Sequence, residues 1–373
     1  MKFKLKKSDH LSKFQLVSKI DKLRLTTHEN RAINGDSLVF YCHEDKIFLH
    51  TSNGISSALI YLCEMSDEFI DFAIDSQLFT NAFANFPTDE VQFAFLQEEN
   101  QLVFGNKKTR VALKISLATK INERIANEFY VDKELDFQEL NTSDFLSAFK
   151  YTSFSCAPDI EEYPYTSIMF FIADNKFNTQ SSDKHRISLY GSNYQGESSY
   201  LISKTQAELL INFINKEDKY EYCIHKNKFI IRWGHNYFVT SLENNTYQSV
   251  FSAFMKFFDE SKEITHFNID KNEIVKSIKF ISSISSSHTF NIKSSGSELI
   301  ISSSSNDKGA VADKIALAEE IEPLDVSYLV NHFIKVLEII QQDDITLGFS
   351  DYNGYTICVV QDKNFNHIMF PME

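Results

Sequence analysis

At 373 residues the chain is longer than one hydrophobic core sustains, so two or three domains are expected. With 43% hydrophobic residues and 34 phenylalanines against 10 glycines and 5 prolines, it is an element-rich protein, which excludes collagen-like or low-complexity structure. A net charge of −14 excludes a surface that is basic throughout, as on a nucleic-acid coat protein, but leaves room for lysines gathered on one surface.

One module recurs six times. A short β-prone stretch meets a Ser, Thr, Asp, Asn or Lys-Thr helix-start signal, and apolar residues at helical spacing follow. The first module opens at Phe3, with Ser8 and Asp9 as start signal and Leu11, Phe14, Val17 and Ile20 on the apolar stripe. The second opens at Phe72, with Asp75 and Ser76 before Leu78, Phe79, Ala82, Phe83 and Phe86. Phe137 opens the third, where Thr142, Ser143 and Asp144 precede Phe145, Leu146 and Phe149. Tyr200 opens the fourth, where Ser203 precedes Leu209, Leu210, Phe213 and Ile214. The fifth runs from Phe267 through Asp270 to Ile274, Val275, Ile278 and Ile281. The sixth runs from Leu324, with Asp325 as start signal, to Tyr328, Leu329, Phe333, Val336 and Leu337.

These openings lie 57 to 69 residues apart, a near-constant period. Between the helices, residues 37–42 with 46–50, 91–96 with 102–104 and 111–115, and 220–224 with 229–233 and 237–242 read as strands joined by charged or Asn-containing turns. One helix with three or four strands is therefore the module. Alone it leaves a sheet edge and an apolar helix face open, so two should pair into a domain. That places domains at 1–125, 126–257 and 258–373, connected through 121–135 and 257–265.

Cys42, Cys63, Cys156, Cys223 and Cys358 are odd in number and widely spaced, the pattern of structural thiols in a reducing compartment. The basic residues 1–7 run into no apolar segment, and no stretch reaches the roughly 20 apolar residues of a membrane helix. A soluble cytoplasmic protein without membrane contact is expected. No phosphate loop, Gly-x-Ser-x-Gly elbow or metal-spaced His/Cys cluster occurs. Ser182, Asp183 and His185 lie too close in one strand-turn segment to form a triad. Neither catalysis nor a cofactor or metal is expected.

Residues 182–187, Ser-Asp-Lys-His-Arg-Ile, resemble the Thr-Asp-Gly-His-Arg-Leu segment of the bacterial DNA polymerase III beta subunit, the replicative sliding clamp. The opening Met-Lys-Phe is similar to that family's N-terminus, and the closing Phe-Pro-Met-Glu to its Met-Pro-Met-Arg ending. Leu-Ile-Ile-Ser at 299–302 and Asp-Val-Ser-Tyr at 325–328 sit where the family has similar sequences. Order and spacing agree along the whole chain. The resemblance implies an α+β DNA clamp fold of three similar domains, each of two β-sheet-plus-helix units. It also implies a head-to-tail homodimeric ring around duplex DNA that tethers the replicative polymerase and confers processivity. Lys184 stands where the family has glycine, Glu373 where it has a basic residue, and residues 247–253 lack the family's proline and arginines. These departures point to a divergent member, such as a phage or mobile-element version.

A clamp must hold DNA without gripping bases, and phosphate attraction is blind to sequence. The expected contacts are lysines opposite the apolar stripes: Lys13, Lys19 and Lys22, with Arg24 just after, then Lys150, Lys204, Lys216, Lys276, Lys279 and Lys335. The resemblance further implies a pocket for short peptide motifs of the polymerase and clamp loader, formed by Tyr165, Ser182, His185, Arg186, Ile187, Met369, Phe370, Pro371 and Met372. Methionine and aromatic walls suit apolar-aromatic peptides. For the head-to-tail contact, the edge strand at 107–113, with Lys107, Arg110 and Val111, and the helix-end residues Ile281 and Ile284 are the candidates. The competing expectation is a non-clamp acidic protein, structural or DNA-mimicking, built from the same repeated sheets.

Overall fold

Six times among the described residues a strand leads into a helix and antiparallel strands follow. The computed structural model describes residues 2–22, 37–64, 69–96, 98–118, 125, 127–129, 134–158, 164–191, 199–214, 218–244, 262–285, 287–305 and 309–372. The module helices are α1 (Lys7–Lys22), α2 (Ser76–Ala84), α3 (Thr142–Ser153), α4 (Lys204–Phe213), α5 (Lys271–Ser285) and α6 (Val330–Ile339). Residues 125 and 127–129 are helical as well.

In the second, fourth and fifth modules the start signals act through hydrogen bonds to otherwise unsatisfied N–H groups. Asp75 accepts from the Leu78 N–H at 2.6 Å and Asp270 from the Glu273 N–H at 3.0 Å. Ser203 and Gln206 form a capping box, each side chain accepting from the other's backbone N–H. The sixth module departs from expectation. Asp325 and Tyr328 lie in the strand Asp325–Leu329, and α6 begins only at Val330. Asp325 is bonded across the sheet to Asn291 and Lys293, and Tyr328 is buried with its hydroxyl donating to the Thr356 carbonyl. Cross-strand partners therefore outweigh the helix-start tendency of the aspartate.

Opening strands are exchanged between successive modules. Lys2–Lys6 pairs with Glu90–Leu96, which follows α2, whereas Phe72–Asp75 pairs with Ser37–His43, which follows α1. Gln138–Glu139 pairs with Glu221–His225, and Tyr200–Ser203 with Ser167–Ala173. Lys262–Asp270 pairs with Asp344–Tyr352, and Asp325–Leu329 with Thr289–Ser295. Each module's sheet is thus completed by its neighbour.

The chain forms two compact units, residues 1–142 with 208–242 and residues 143–207 with 243–373. The first unit holds a four-stranded sheet ending at Arg110–Lys114 and a nine-stranded sheet. In the nine-stranded sheet, Asn236–Ser241 joins Ser56–Glu64 through a ladder from Tyr237 opposite Leu59 to Thr240 opposite Ser56. Ile125 and Phe129 are buried over this seam with Val39, Leu59, Ile230 and Val239. The Glu128 carboxylate between them accepts from Ser52 and Ser57 and pairs with the buried His50. Much of the expected connection at 121–135, and the start of that at 257–265, lie outside the described residues.

The second unit repeats the plan, with a four-stranded sheet ending at Gly309–Ala316 and a nine-stranded sheet in which Arg186–Tyr190 joins Phe365–Met369. Matching lysines tie paired helices in both units. The Lys7 ammonium donates to the Phe86 carbonyl past the end of α2 at 2.8 Å, and Lys271 to the Ile340 carbonyl at the end of α6 at 2.8 Å. Both sit where the helix dipole favours a cation.

Phenylalanine supplies much of the first core. Phe14 of α1 is fully buried and meets Phe79 and Phe83 of α2 edge-on, with centroids 5.0 and 4.9 Å apart. All five cysteines are free, and burial pushes the Cys156 thiol up to about 12, so it stays protonated. Phe14→Ala should open a cavity under the α1–α2 pair and cost about 3–5 kcal/mol. Denaturant unfolding of the variant beside the parent measures this.

Candidate functional site

The turn at 182–187 is built around Asp183. Its Oδ1 accepts from the His185 and Arg186 N–H groups, both at 3.1 Å, while the Ser182 hydroxyl accepts from the Lys184 N–H at 3.2 Å. Short polar side chains bonding forward to the backbone are how such turns close. Lys184 has φ +75°, the left-handed region that glycine enters without cost. Its ammonium lies 5.0 Å from the centroid of the half-buried Tyr165 ring, a cation–π contact that partly offsets the strain.

Arg186 is only 4% exposed. Its Nε donates to Asp183 Oδ2 at 2.7 Å, its Nη2 donates to the Phe154 carbonyl at 2.7 Å, and its guanidinium lies 5.3 Å from the Phe154 ring centroid. The arginine is therefore a buried pillar of the turn, and His185 is the exposed member of the pair.

The chain's tail lies against this turn. Arg186 is opposite Met369 in the ladder, the Phe370 N–H donates to the His185 carbonyl at 2.9 Å, and the Met372 N–H donates to the Ser327 carbonyl at 2.8 Å. Phe370 packs against Ile187, Leu189, Ile357 and Ile368 beside Tyr352 and Val359. The Met372 bond follows a rule of the fold. The segment after each second module covers that module's opening strand: Ser116–Leu117 on Phe72–Asp75, Glu243–Asn244 on Tyr200–Ser203, and here the tail on Asp325–Leu329.

Ser182, Ile187 and Met369 are buried and form the floor. Tyr165, Phe370, Pro371 and Met372 are half-exposed. Two histidines add to the patch. His367 is wholly buried with Nδ1 2.8 Å from the Ser188 hydroxyl, and burial holds its imidazole well below the ordinary value. His332 of α6, 6.3 Å ring to ring from His185, is lowered to about 4 by burial and then by Arg186, His185 and Lys335, against the pull of Asp183. Both are neutral at pH 7. Phe154, His332 and His367 were not singled out from sequence, and Ser327 was marked only as part of the stretch at 325–328. They reach the patch through long-range pairing.

Of the expected helix-face cations, Lys19, Lys150, Lys276, Lys279 and Lys335 are exposed and Lys204 is half-buried. Lys13 is half-buried instead of lying on an open face. Its ammonium donates to the Tyr61 carbonyl at 3.0 Å, and burial lowers its pKa. Lys19 reaches Asn212 at 3.3 Å, and Lys279 is paired with Glu338 at 2.8 Å. Arg24, Lys216 and the side chain of Lys22 lie outside the described residues. The same helices expose Asp9, Glu208, Glu273 and Glu338, so their described open faces carry nearly balanced charge.

The strands Arg110–Lys114 and Gly309–Ala316 each end a four-stranded sheet with one edge unpaired among the described residues. Lys107, Lys108, Arg110 and Lys114 are exposed along the first, with Val111 half-buried. Glu319, Glu320 and Glu322 are exposed just beyond the second, and Asp313 within it is half-buried. Ile281, expected as a contact, is fully buried in its own unit. Phe280, 51% exposed, and Ile284, 42% exposed, carry the open apolar surface of α5. Among the described residues no cluster of metal-ligating side chains occurs, and no helix is long and apolar enough to cross a membrane.

Comparison with solved structures decides the architecture. The chain superposes along its whole length on the DNA polymerase III subunit beta of Pseudomonas aeruginosa (TM-score 0.80, 13% identity, all of both chains). The DNA polymerase sliding clamp of Bacillus subtilis (0.79, 15%, covering 100% of this chain and 99% of that one) and the DNA polymerase III beta chain of Streptococcus pneumoniae (0.81, 15%, 100% and 99%) match equally well. The chain has the DNA clamp fold. Residues 260–373 also match the family model for the DNA polymerase III beta subunit, C-terminal domain. No curated protein matches in sequence, so this clamp fold is carried by a strongly divergent chain.

The turn allows a test of its strain. Lys184→Gly removes both the left-handed penalty and the cation–π contact and should leave stability within about 1 kcal/mol of the parent. Lys184→Ile puts a β-branched residue at the same φ and should cost about 1–2 kcal/mol. Thermal unfolding of the two variants side by side measures the difference.

Proposed function

We propose that the protein is a non-enzymatic sliding clamp: two copies close head to tail around duplex DNA and tether a polymerase there. The clamp fold over the full chain, with the family match at 260–373, carries this reading. It favours a clamp over an acidic structural or DNA-mimic protein. In this reading the exchanged modules pair into domains at 1–125, 126–257 and 258–373.

Strand accounting supports the ring. Of the six strands that end the modules, Ser56–Glu64 pairs with Asn236–Ser241, and Arg186–Tyr190 with Phe365–Met369. Arg110–Lys114 and Gly309–Ala316 remain, one from each end of the chain. Joining the first of one copy to the second of the next would close the assembly by the same kind of ladder. The basic residues Lys107, Lys108, Arg110 and Lys114 would then face Asp313, Glu319, Glu320 and Glu322, with Phe280 and Ile284 as apolar cover. Self-association should weaken by about an order of magnitude between low and high salt, and Phe280→Asp should leave monomers. Sedimentation at several salt concentrations reads both. A salt-indifferent dimer would mean the copies meet elsewhere.

Nearly balanced helix faces give little phosphate attraction, so retention on DNA would come from topology rather than affinity. Protein loaded on circular DNA should stay bound through a high-salt wash and be lost once the circle is linearised, while direct binding to a short duplex stays weak. Equal retention on circular and linear DNA with open ends would refute the encircling mechanism. The patch of Tyr165, the 182–187 turn and the tail is the proposed docking site for short apolar-aromatic motifs of the polymerase and loader.

A further inference from the structure

We propose that the outer face of the first unit's four-stranded sheet is a separate docking surface. Its occupant is an extended acidic segment of a partner protein that seats an apolar side chain between Lys4 and Arg110.

Alternation along the strands turns Phe3, Phe93 and Phe104 into the core and sends their neighbours outward. The registers then fix a grid on the outer face. Lys4, Gln92, Gly105 and Arg110 form one row across the four strands, and Lys2, Ala94, Val103 and Ala112 the next. Lys6 stands opposite Glu90 beyond the first row, and Lys114 opposite Gln101 beyond the second. Lys2, Lys4, Lys6, Arg110 and Lys114 are all exposed. The carboxylate on the grid is Glu90, which Lys4 pairs at 3.2 Å. Lys2, Lys6, Arg110 and Lys114 form no ion pair among the described residues. Asp89 serves the Ser8 N–H at one end of the sheet, and Glu98 and Glu99 are exposed in the turn at the other. In a chain of net charge −14 this face is a local exception that draws anions toward it.

The fold itself does not call for these cations. Across the corresponding strands of the second unit's four-stranded sheet the row is Ser327, Asn291, Ser302 and Ala312. The lysines of that sheet are matched, Lys293 by Asp325 at 3.2 Å and Lys314 by Glu298 at 2.7 Å. Blunting an end strand against aggregation therefore works there without unpaired charge.

A depression of about 410 Å³ lies between the rows, with Ala94 and Val103 in its floor and Lys2, Lys4 and Arg110 at its rim. Lys4 and Arg110 are three strand spacings apart, about 14 Å, which leaves room for an extended chain between them. Lys2, Lys4 and Lys6 recur at about 6.8 Å, the spacing of same-face side chains in an extended peptide, so acidic residues on one face can meet them. An aliphatic floor rewards an apolar side chain. The grid offers no aromatic ring for bases to stack on, as surfaces for single-stranded nucleic acid do. An acidic peptide with an apolar residue therefore fits better than nucleic acid. Lys2, Lys4 and Lys6 lie on the end strand opposite Arg110–Lys114, so joining copies along the latter would leave them on the surface.

The test uses the full chain and a blocked, labelled peptide of glutamate, leucine and serine in which one face of the extended chain carries glutamates around a leucine. A second peptide has serine for leucine, and a third has lysine for glutamate. Fluorescence anisotropy at low salt is read on the parent and on the double variants Lys2→Glu with Lys6→Glu and Lys2→Gln with Lys6→Gln. It is also read on Val103→Arg, which fills the depression while adding a cation. All these positions are on the outer face, and thermal unfolding checks that each variant is folded.

The parent should bind the acidic leucine peptide about tenfold tighter than the leucine-free one, and the lysine peptide not measurably. The glutamate double variant should weaken the acidic peptide at least tenfold and the glutamine variant by less. Val103→Arg should bring it down to the leucine-free level. Sedimentation of both double variants should match the parent, which separates this surface from ring closure. Binding that survives Lys2→Glu with Lys6→Glu, that ignores the leucine, or that is absent from the parent overturns the proposal and leaves the ring and the patch at the 182–187 turn untouched. Oligothymidylate or a short duplex that binds as tightly and is lost with the same lysines would assign the face to phosphate and overturn it too.

Discussion

The exchange of opening strands is the constraint on which the remaining architecture depends. Because Lys2–Lys6 completes the sheet behind α2 and Phe72–Asp75 the sheet behind α1, neither module can satisfy its edge by itself. The same exchange recurs farther along the chain. It decides which strands are left over at the ends of the sheets, and hence where sheets join and where they stay open. The stacked phenylalanines and the lysines that cap α2 and α6 pack what the ladders have already paired.

That pairing explains which parts of the fold were legible in the sequence. Helix starts at Asp75, Ser203 and Asp270 were readable because the signal and its N–H partners lie within one turn of each other. Hairpins were readable for the same local reason. The exchange itself was not, since Phe3 and Phe93, stacked with centroids 4.8 Å apart, are far apart in the chain and nothing near either announces the other. The sixth helix was misplaced because Asp325 has its partners, Asn291 and Lys293, on a distant strand.

The candidate site divides along the same line. The turn residues Ser182 to Ile187 formed a contiguous motif, and the unusual Lys184 could be seen against it. What surrounds the turn could not be seen: Phe154 holding Arg186 from below, Ser327 holding the tail, and His332 and His367 in the positive field of the arginine. Among the lysines, spacing placed Lys19 and Lys276 on open faces, whereas Lys13 is spent on the Tyr61 carbonyl. Helical spacing tells which way a side chain leaves its helix. It does not tell whether a neighbouring strand will intercept it.

The charge balance of the helix faces bears on movement. Exposed Lys19 shares α1 with Asp9, exposed Lys276 shares α5 with Glu273, and Lys279 is matched by Glu338. If these faces surround a duplex, each phosphate meets attraction and repulsion in short alternation, so the potential along the helical track is shallow. Friction is then low, and diffusion along the duplex should change little with ionic strength. A ring of that kind would follow whatever pulls it and resist very little.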